Sequence, residues 1–494
     1  MRNIVLICAD QWRGDALGAH GNPDVHTPFI DNLAQSGIDC TQAYAANPTC
    51  VPARVSMITG LSAQNHRRIG YQDKVPFDFT ETLPAVLARA GYQTQAVGKL
   101  HFYPERNRAG FDAVTLHDGY LHASRDRHRD VRFYDDYMAW LQEHDHSTSD
   151  YIDSGMECNS FVARPWDKAE RLHPTNWVTE QSIEWLYRRD PGSPFFLYVS
   201  YHRPHPPYDP PQWAWEIFRD ADLREFGQCD WFADFEQWYK MHDPTAHVTD
   251  PGDEMKRRAM AGYYASMAHI DAQISRLRQA LYEFGVLDDT LLVFTSDHGE
   301  MIGQYDLWRK GYPYEGSAKV PLILHGPDLQ PRREERIVEM RDIMPTILDW
   351  AGIECPESVE GRSFLRPAMD AGDTTGVERA GTAERSSWRH ALHGEHYLFG
   401  QSLQWIRWRD YKYIWFSADG REQLFNLADD PTESHNLLLD RNKTMECVRD
   451  EGREILVQYL NGRPEGFVQD GHLVAGREAV CVLPQSIPLP KELQ

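Results

Sequence analysis

Ile4-Val5-Leu6-Ile7-Cys8-Ala9-Asp10-Gln11 sets the fold: six apolar residues in succession, then a carboxylate and an amide. An unbroken apolar run of strand length belongs to a strand buried on both faces, in a parallel sheet covered by helices. The chain beyond it repeats that logic. Thr27 and Pro28 supply an N-cap and a first helical residue for a helix over 29–36, stopped by Gly37. Residues 38–44 are expected as the next strand and 51–59 as a helix closed by Gly60. A helix over 82–90 then feeds a strand over 92–97. Further on, the pattern gives a helix at 178–188, a strand at 194–200 and a long helix at 260–284. Strands at 290–295 and 320–325 and a helix at 339–350 complete it. Such alternation predicts an α/β fold, a large mostly parallel sheet sandwiched by helices.

After about residue 381 the character changes. Residues 405–416 (WIRWRDYKYIWF) alternate and are rich in aromatics, Asp419-Gly420 signals a turn, and 422–427 resume the strand pattern. With a helix at 445–460, this predicts a smaller C-terminal antiparallel sheet plus helix. The expected division is an α/β domain over 1–381 and an α+β subdomain over 382–494. Its proline-rich tail, 482–490, is expected to extend onto a neighbouring subunit of a homo-oligomer. Residues 102–175 show no clear period and are expected as loops around a pocket. Tyr103, Arg106, Tyr120, His122, His173 and Trp177 are candidates for the pocket wall.

At 494 residues there is room for one large domain and a smaller one, and 41% hydrophobic with 25% charged residues is an ordinary soluble composition. A net charge of −23 argues against nucleic acid or an anionic membrane as partner. An anionic substrate would then need positive charge concentrated at its site. The eight cysteines are scattered without paired spacing, which points to reduced thiols. The first apolar run is too short for a secretory segment, and no run approaches a membrane span, so a cytoplasmic protein with no membrane partner is expected.

Cys50-Val51-Pro52-Ala53-Arg54 places a thiol two residues before a proline and four before a guanidinium. Pro52 suits a first helical turn, where its missing N–H has no partner to lose. Cys50 then stands at the positive end of the helix with Arg54 one turn on, poised to meet an anion. A buried structural cysteine is the plain alternative, and composition alone favours it. Ligands of open α/β sheets bind beyond the carboxyl ends of the strands, where two doublets fall: Asp10-Gln11 and Asp297-His298. Two carboxylates, an amide oxygen and an imidazole make a first shell for a divalent cation. Three further segments at strand ends bring basic groups: Lys99 with His101, His205 within Arg203-Pro204-His205-Pro206-Pro207, and Lys310 after Trp308-Arg309.

This combination resembles the formylglycine-dependent type I sulfatases of the alkaline phosphatase superfamily. The resemblance runs from Asp10-Gln11 through the Cys50–Arg54 signature, the Pro204–Pro207 segment, Ser296-Asp297-His298-Gly299 and Lys310. It reaches the closing Asp429-Asp430-Pro431-Thr432-Glu433-Ser434-His435-Asn436-Leu437 stretch. It implies an alkaline-phosphatase-like fold and hydrolysis of an aryl or carbohydrate sulfate ester. Cys50 would be oxidised by a maturase to formylglycine, whose hydrated form attacks sulfur in line and later releases sulfate by elimination. Asp10, Gln11, Asp297, His298 and residue 50 would bind one divalent metal. Arg54 would orient the diol, Lys99 and Lys310 would hold sulfate oxygens, His101 would act as base, and His205 would face the leaving group with Lys310.

The doublets depart from the Asp-Asp and Asp-Asn of many sulfatases and look like those of choline-sulfatase-like and phosphonate monoester hydrolase-like members. An all-oxygen shell favours Ca²⁺, the expected ion, with Mg²⁺ as an alternative, while the His298 imidazole shifts preference towards Mn²⁺ or another borderline ion. The same variation makes a phosphonate monoester or phosphodiester hydrolase the rival activity, against which the Lys99/His101 pair argues. A third reading, from another class, is an inactive anion- or metal-binding homologue with Cys50 unmodified.

Overall fold

A computed structural model describes residues 2–119, 130–147, 154–365, 388–440 and 442–494. Eight strands form the main sheet: β1 (Asn3–Asp10), β2 (Ile38–Cys40), β3 (Gln93–Gly98), β4 (Ala113–Leu116), β5 (Phe195–Pro204), β6 (Thr290–Ser296), β7 (Leu322–His325) and β8 (Arg332–Glu334). Their order is β4-β3-β5-β1-β6-β7-β2-β8, and only β7 runs against the rest. The mostly parallel sheet expected from the sequence is therefore present.

β1 lies at its centre, paired with β5 on one side (Ile7 opposite Val199) and β6 on the other (Ile7 opposite Phe294). Side chains alternate between faces along a strand, and β1 shows it. Val5, Ile7 and Ala9 enter one core, shared with helices α1 (Pro28–Ser36), α4 (Pro174–Arg188) and α5 (Asp253–Glu283). Ile4, Leu6 and Cys8 enter the other, shared with α2 (Cys50–Thr59), α3 (Leu83–Arg89) and α6 (Ile343–Ala351). Burial on both faces explains why the run carries no polar residue before Asp10.

The structure also departs from the sequence reading at several points. The expected strand over 38–44 is broken: β2 ends at Cys40 and Ala43–Tyr44 pairs instead with Val338–Glu339. Residues 102–175 are not all loop, because they contain β4 and a helix over Asp136–His144. The C-terminal sheet has four antiparallel strands, β9 (Ala391–Leu398), β10 (Gln401–Trp408), β11 (Tyr411–Phe416) and β12 (Glu422–Asn426). The aromatic run read as one stretch thus turns back at Arg409-Asp410, with Arg409 at φ 45°. One face of this sheet packs on Tyr312, Tyr314 and Trp231, the other on α7 (Lys443–Leu460).

The expected domain boundary at 381 lies outside the described residues. The tail does not leave the molecule as anticipated. Leu483 N–H donates to Arg67 O, Ile487 N–H to Gln64 O and Leu489 N–H to Glu360, and Leu483 is fully buried. Two expected wall residues are structural instead: His173 caps α4 by accepting from Thr175 N–H, and Trp177 packs in the core. Arg106 pairs with Asp136, Tyr103 borders a small cavity beside His101, and Tyr120 and His122 lie outside the described residues.

Candidate active site

The carboxyl ends of β3, β5, β1 and β6 are adjacent, and each passes directly into a candidate residue. β1 ends on Asp10, β6 on Ser296 before Asp297, β3 on Gly98 before Lys99, and β5 on Pro204 before His205. Gly98 has φ 99°, and a Cβ there would stand 1.9 Å from Ser200 O, so only glycine lets the chain turn Lys99 inward. α2 delivers Cys50 in its first turn beneath these ends, with every one of its residues buried.

Ligand atoms of Asp10, Cys50, Asp297 and His298 all lie within 4.8 Å of one another. Cys50 Sγ is 3.2 Å from His298 Nε2 and 3.6 Å from Asp10 Oδ1. Lys99 Nζ donates to the same sulfur at 3.6 Å and pairs with Asp10 Oδ2. His298 Nδ1 lies 2.9 Å from Gly299 O; donation to that carbonyl leaves the Nε2 lone pair facing the two carboxylates. Second-sphere carbonyls orient metal-ligating histidines in just this way. Two carboxylates, a correctly presented imidazole and residue 50 fit a divalent cation.

Gln11 is placed differently from the other four. Its Oε1 accepts from Lys310 Nζ at 2.6 Å, and its Nε2 donates to Glu300, which fixes the amide orientation. Glu300 is fully buried and also accepts from the N–H groups of Ile302 and Arg309. It was missed in the sequence, although it directly follows the Ser296–Gly299 motif.

Arg54 binds from below. Its Nε donates to Asp297 Oδ2 at 2.7 Å, and its Nη1 donates to Lys99 O, Tyr198 Oη and Ser200 Oγ at 2.9, 3.0 and 2.8 Å. Tyr198 and Ser200 carried no signal beyond lying in a buried strand. His205 N–H donates to Asp10 O at 3.1 Å, and its Nδ1 lies 2.9 Å from Pro206 O. His202, on β5, joins it: ligand atoms of Asp10, His202 and His205 also gather within 4.8 Å. The His101 backbone, at φ 62°, donates to Asp118 Oδ1 at 2.8 Å, and its ring stands 5.7 Å from that of Tyr71. The atoms that meet the Cys50 sulfur come from Asp10, Lys99 and His298.

The positive charge anticipated for a chain of net charge −23 is concentrated here. Burial and Asp10 push the Cys50 thiol up, but Lys310, Lys99 and His298 outweigh them and leave it below its usual value. Burial raises Asp10, and Lys99, then His205, Arg54 and Lys310, bring it well below the carboxylate range. His205 is held well below the usual imidazole value by burial, then by Lys310 and Lys99. Burial lowers His298, and Asp297 and residue 50 raise it above its usual value.

Comparison with known proteins agrees with this geometry. The sulfatase family model matches residues 2–353, and a model described as N-sulphoglucosamine sulphohydrolase, C-terminal, matches 303–459. The chain is 42% identical over 483 residues to an arylsulfatase of Clostridium perfringens, covering 96% of this chain and 97% of that one. It is 29% identical over 449 residues to a choline-sulfatase of Rhizobium meliloti, covering 88% and 82%. Among solved structures, a phosphonate monoester hydrolase of Agrobacterium radiobacter superposes with a TM-score of 0.74 at 27% identity, covering 92% and 95%. The match over most of its length, together with the strand-end cluster around Cys50, makes this chain a member of the sulfatase family, within the alkaline phosphatase superfamily.

Proposed function

We infer that this chain is a sulfuric ester hydrolase acting on a small anionic aryl or carbohydrate sulfate. The observation that carries the reading is the gathering of Asp10, Asp297, His298 and residue 50 within 4.8 Å, with Lys99 touching both Asp10 and residue 50. Asp10, Asp297, His298 and residue 50 would hold one divalent cation, with Gln11 joining if Lys310 turns to substrate. Such an ion supplies Lewis-acid stabilisation of charge developing on oxygen. Formylglycine made from Cys50 by a maturase supplies the nucleophile, and the sulfur marks where its oxygens would sit.

The chain's own residues do the rest. Arg54 clamps Asp297 and holds α2, and so residue 50, against the strand ends. Lys99 and Lys310 carry the positive charge that draws in a sulfate group and stabilises its oxygens; a preorganised charge of this kind contributes several kcal/mol, roughly 3–4. His205 donates Nδ1–H to Pro206 O and so presents a lone pair at Nε2, which leaves Lys310 as the hydrogen-bond donor on the leaving-group side. His101 remains the proposed base for release of sulfate. The free state of all eight cysteines supports a reducing, cytoplasmic setting.

The likeness to a phosphonate monoester hydrolase favours one rival, hydrolysis of phosphonate monoesters with the same machinery. Turnover of nitrophenyl sulfate against a nitrophenyl ester of phenylphosphonate decides between them. Sulfate ester preference is expected, and phosphonate turnover faster by about a hundredfold would reverse the assignment.

A further inference from the structure

His396 lies on β9 in the C-terminal sheet and is 5% exposed, yet neither of its ring nitrogens has a hydrogen-bond partner among the described residues. A buried imidazole with an idle donor and an idle acceptor is costly, so such a position calls for a partner from outside the chain. Its location says which. Glu395 N–H donates to Ala46 O at 2.8 Å and Glu395 O accepts from Asn47 Nδ2 at 2.7 Å, which pins β9 to the segment running into Cys50. Gly311 N–H donates to Pro48 O at 2.9 Å. A Cβ on Gly311 would stand 2.9 Å from His396 Nδ1, so the ring packs directly on the residue after Lys310.

Burial lowers this imidazole to about 3, so the ring is neutral, with one N–H donor and one N acceptor. Aromatic side chains gather just past the end of β9, where Phe399 also stands 6.3 Å from the ring of Tyr312, the residue after Gly311. Phe399 stacks on Trp238 with ring centroids 4.4 Å apart and lies 5.6 Å from the ring of His247. A group that both accepts from an N–H and donates to a ring nitrogen is a hydroxyl, and aromatic rings suit the C–H faces of a pyranose.

We propose that His396 is a specificity-determining residue that hydrogen-bonds a hydroxyl of the leaving group, so that the C-terminal sheet selects carbohydrate-type alcohols over bare aryl ones. This rests on the sulfate-ester reading above and adds the substrate class. It is tested with metal-replete, maturase-converted wild type, His396→Phe and His396→Asn. Each is assayed on nitrophenyl sulfate and on a panel of monosulfated glucose, galactose and N-acetylglucosamine.

His396→Phe should raise KM for the best sugar sulfate about tenfold to a hundredfold, with a smaller change in kcat, and leave nitrophenyl sulfate within about threefold. His396→Asn, which keeps a donor and an acceptor, should recover much of the loss. Equal losses on both esters would mean that the ring only packs, and would overturn the proposal; an unchanged sugar KM would do the same. Should His396→Phe fail to fold, His396→Ala carries the comparison, read as the ratio of the two substrates: a loss confined to the sugar sulfate supports the proposal, and an unchanged ratio overturns it. Wild type active on nitrophenyl sulfate alone would remove this proposal and spare the sulfatase reading, whereas inactivity on every sulfate ester would remove both.

Discussion

Arg54 Nε and Asp297 Oδ2 meet at 2.7 Å, joining the helix that begins at Cys50 to the strand end that carries the second carboxylate. Both side chains are buried, so neither charge has water to fall back on. Arg54→Ala is expected to cost about 3–5 kcal/mol of stability, the usual result of orphaning one member of a buried pair. Arg54→Lys keeps the charge but loses the fork that also holds Lys99 O, Tyr198 and Ser200. Its melting temperature should fall less than that of the Ala variant, while kcat/KM still drops about a hundredfold or more. Thermal denaturation and steady-state kinetics on the two variants check this.

Lys310 is the hydrogen-bond donor on the leaving-group side, because His205 spends its Nδ1–H on Pro206 O. Loss of a proton donor hurts poor leaving groups most, because good ones depart as anions unaided. Lys310→Ala is therefore expected to slow an alkyl or sugar sulfate by about 10²–10⁴-fold and nitrophenyl sulfate markedly less. A series of aryl sulfates of graded phenol acidity gives the readout: the leaving-group dependence should steepen in the variant.

Lys412 is fully buried between Glu315 and Glu433, at 2.8 and 2.7 Å, where β11 meets the loop after Lys310. Two carboxylates share one ammonium. Burial first, then Glu315, pushes Glu433 up to about 7, although Lys412 opposes them. A carboxyl raised in the folded state favours folding fully below its unfolded value and loses that contribution as pH rises through the folded one. The window is therefore about pH 4.5 to 7. Glu433→Gln should match wild type in stability near pH 4 and exceed it at pH 8 by up to about 3 kcal/mol. Denaturant melts at both pH values test the sign.

The donor set of Asp10, Asp297, His298 and residue 50 implies that activity needs a divalent ion. Dialysis against a chelator should abolish turnover, and Ca²⁺ should restore it better than Mg²⁺. The melting temperature should rise with Ca²⁺ concentration, since an ion bound only by the folded state stabilises it. Asp297→Asn should weaken both effects. Full activity after exhaustive chelation would contradict this donor set.

Much of this site could be read from sequence because its residues sit where the pattern changes. Asp10 ends an apolar strand and Asp297 directly follows another buried one, where a carboxylate has no business unless it faces a ligand, and Cys50 opens a helix marked by Pro52. The strand break after Cys40 left no such mark. It follows from the change of partner, β8 for Ile38–Cys40 and Val338–Glu339 for Ala43–Tyr44, which depends on pairing nearly 300 residues away. The turn at Arg409-Asp410 was hidden because a left-handed arginine stands where glycine would have signalled it. Glu300 and Ser200 act through contacts across the chain, and their types alone do not separate them from packed or solvated residues.

The central claim is that residue 50 works as formylglycine rather than as a thiol. Mass spectrometry of the peptide containing position 50, from protein made with and without a formylglycine-generating maturase, measures it together with activity. Conversion should lower the peptide mass by about 18 Da, and sulfatase turnover should scale with the converted fraction and vanish in Cys50→Ala. Full turnover from protein whose position 50 is wholly unmodified cysteine would contradict the account.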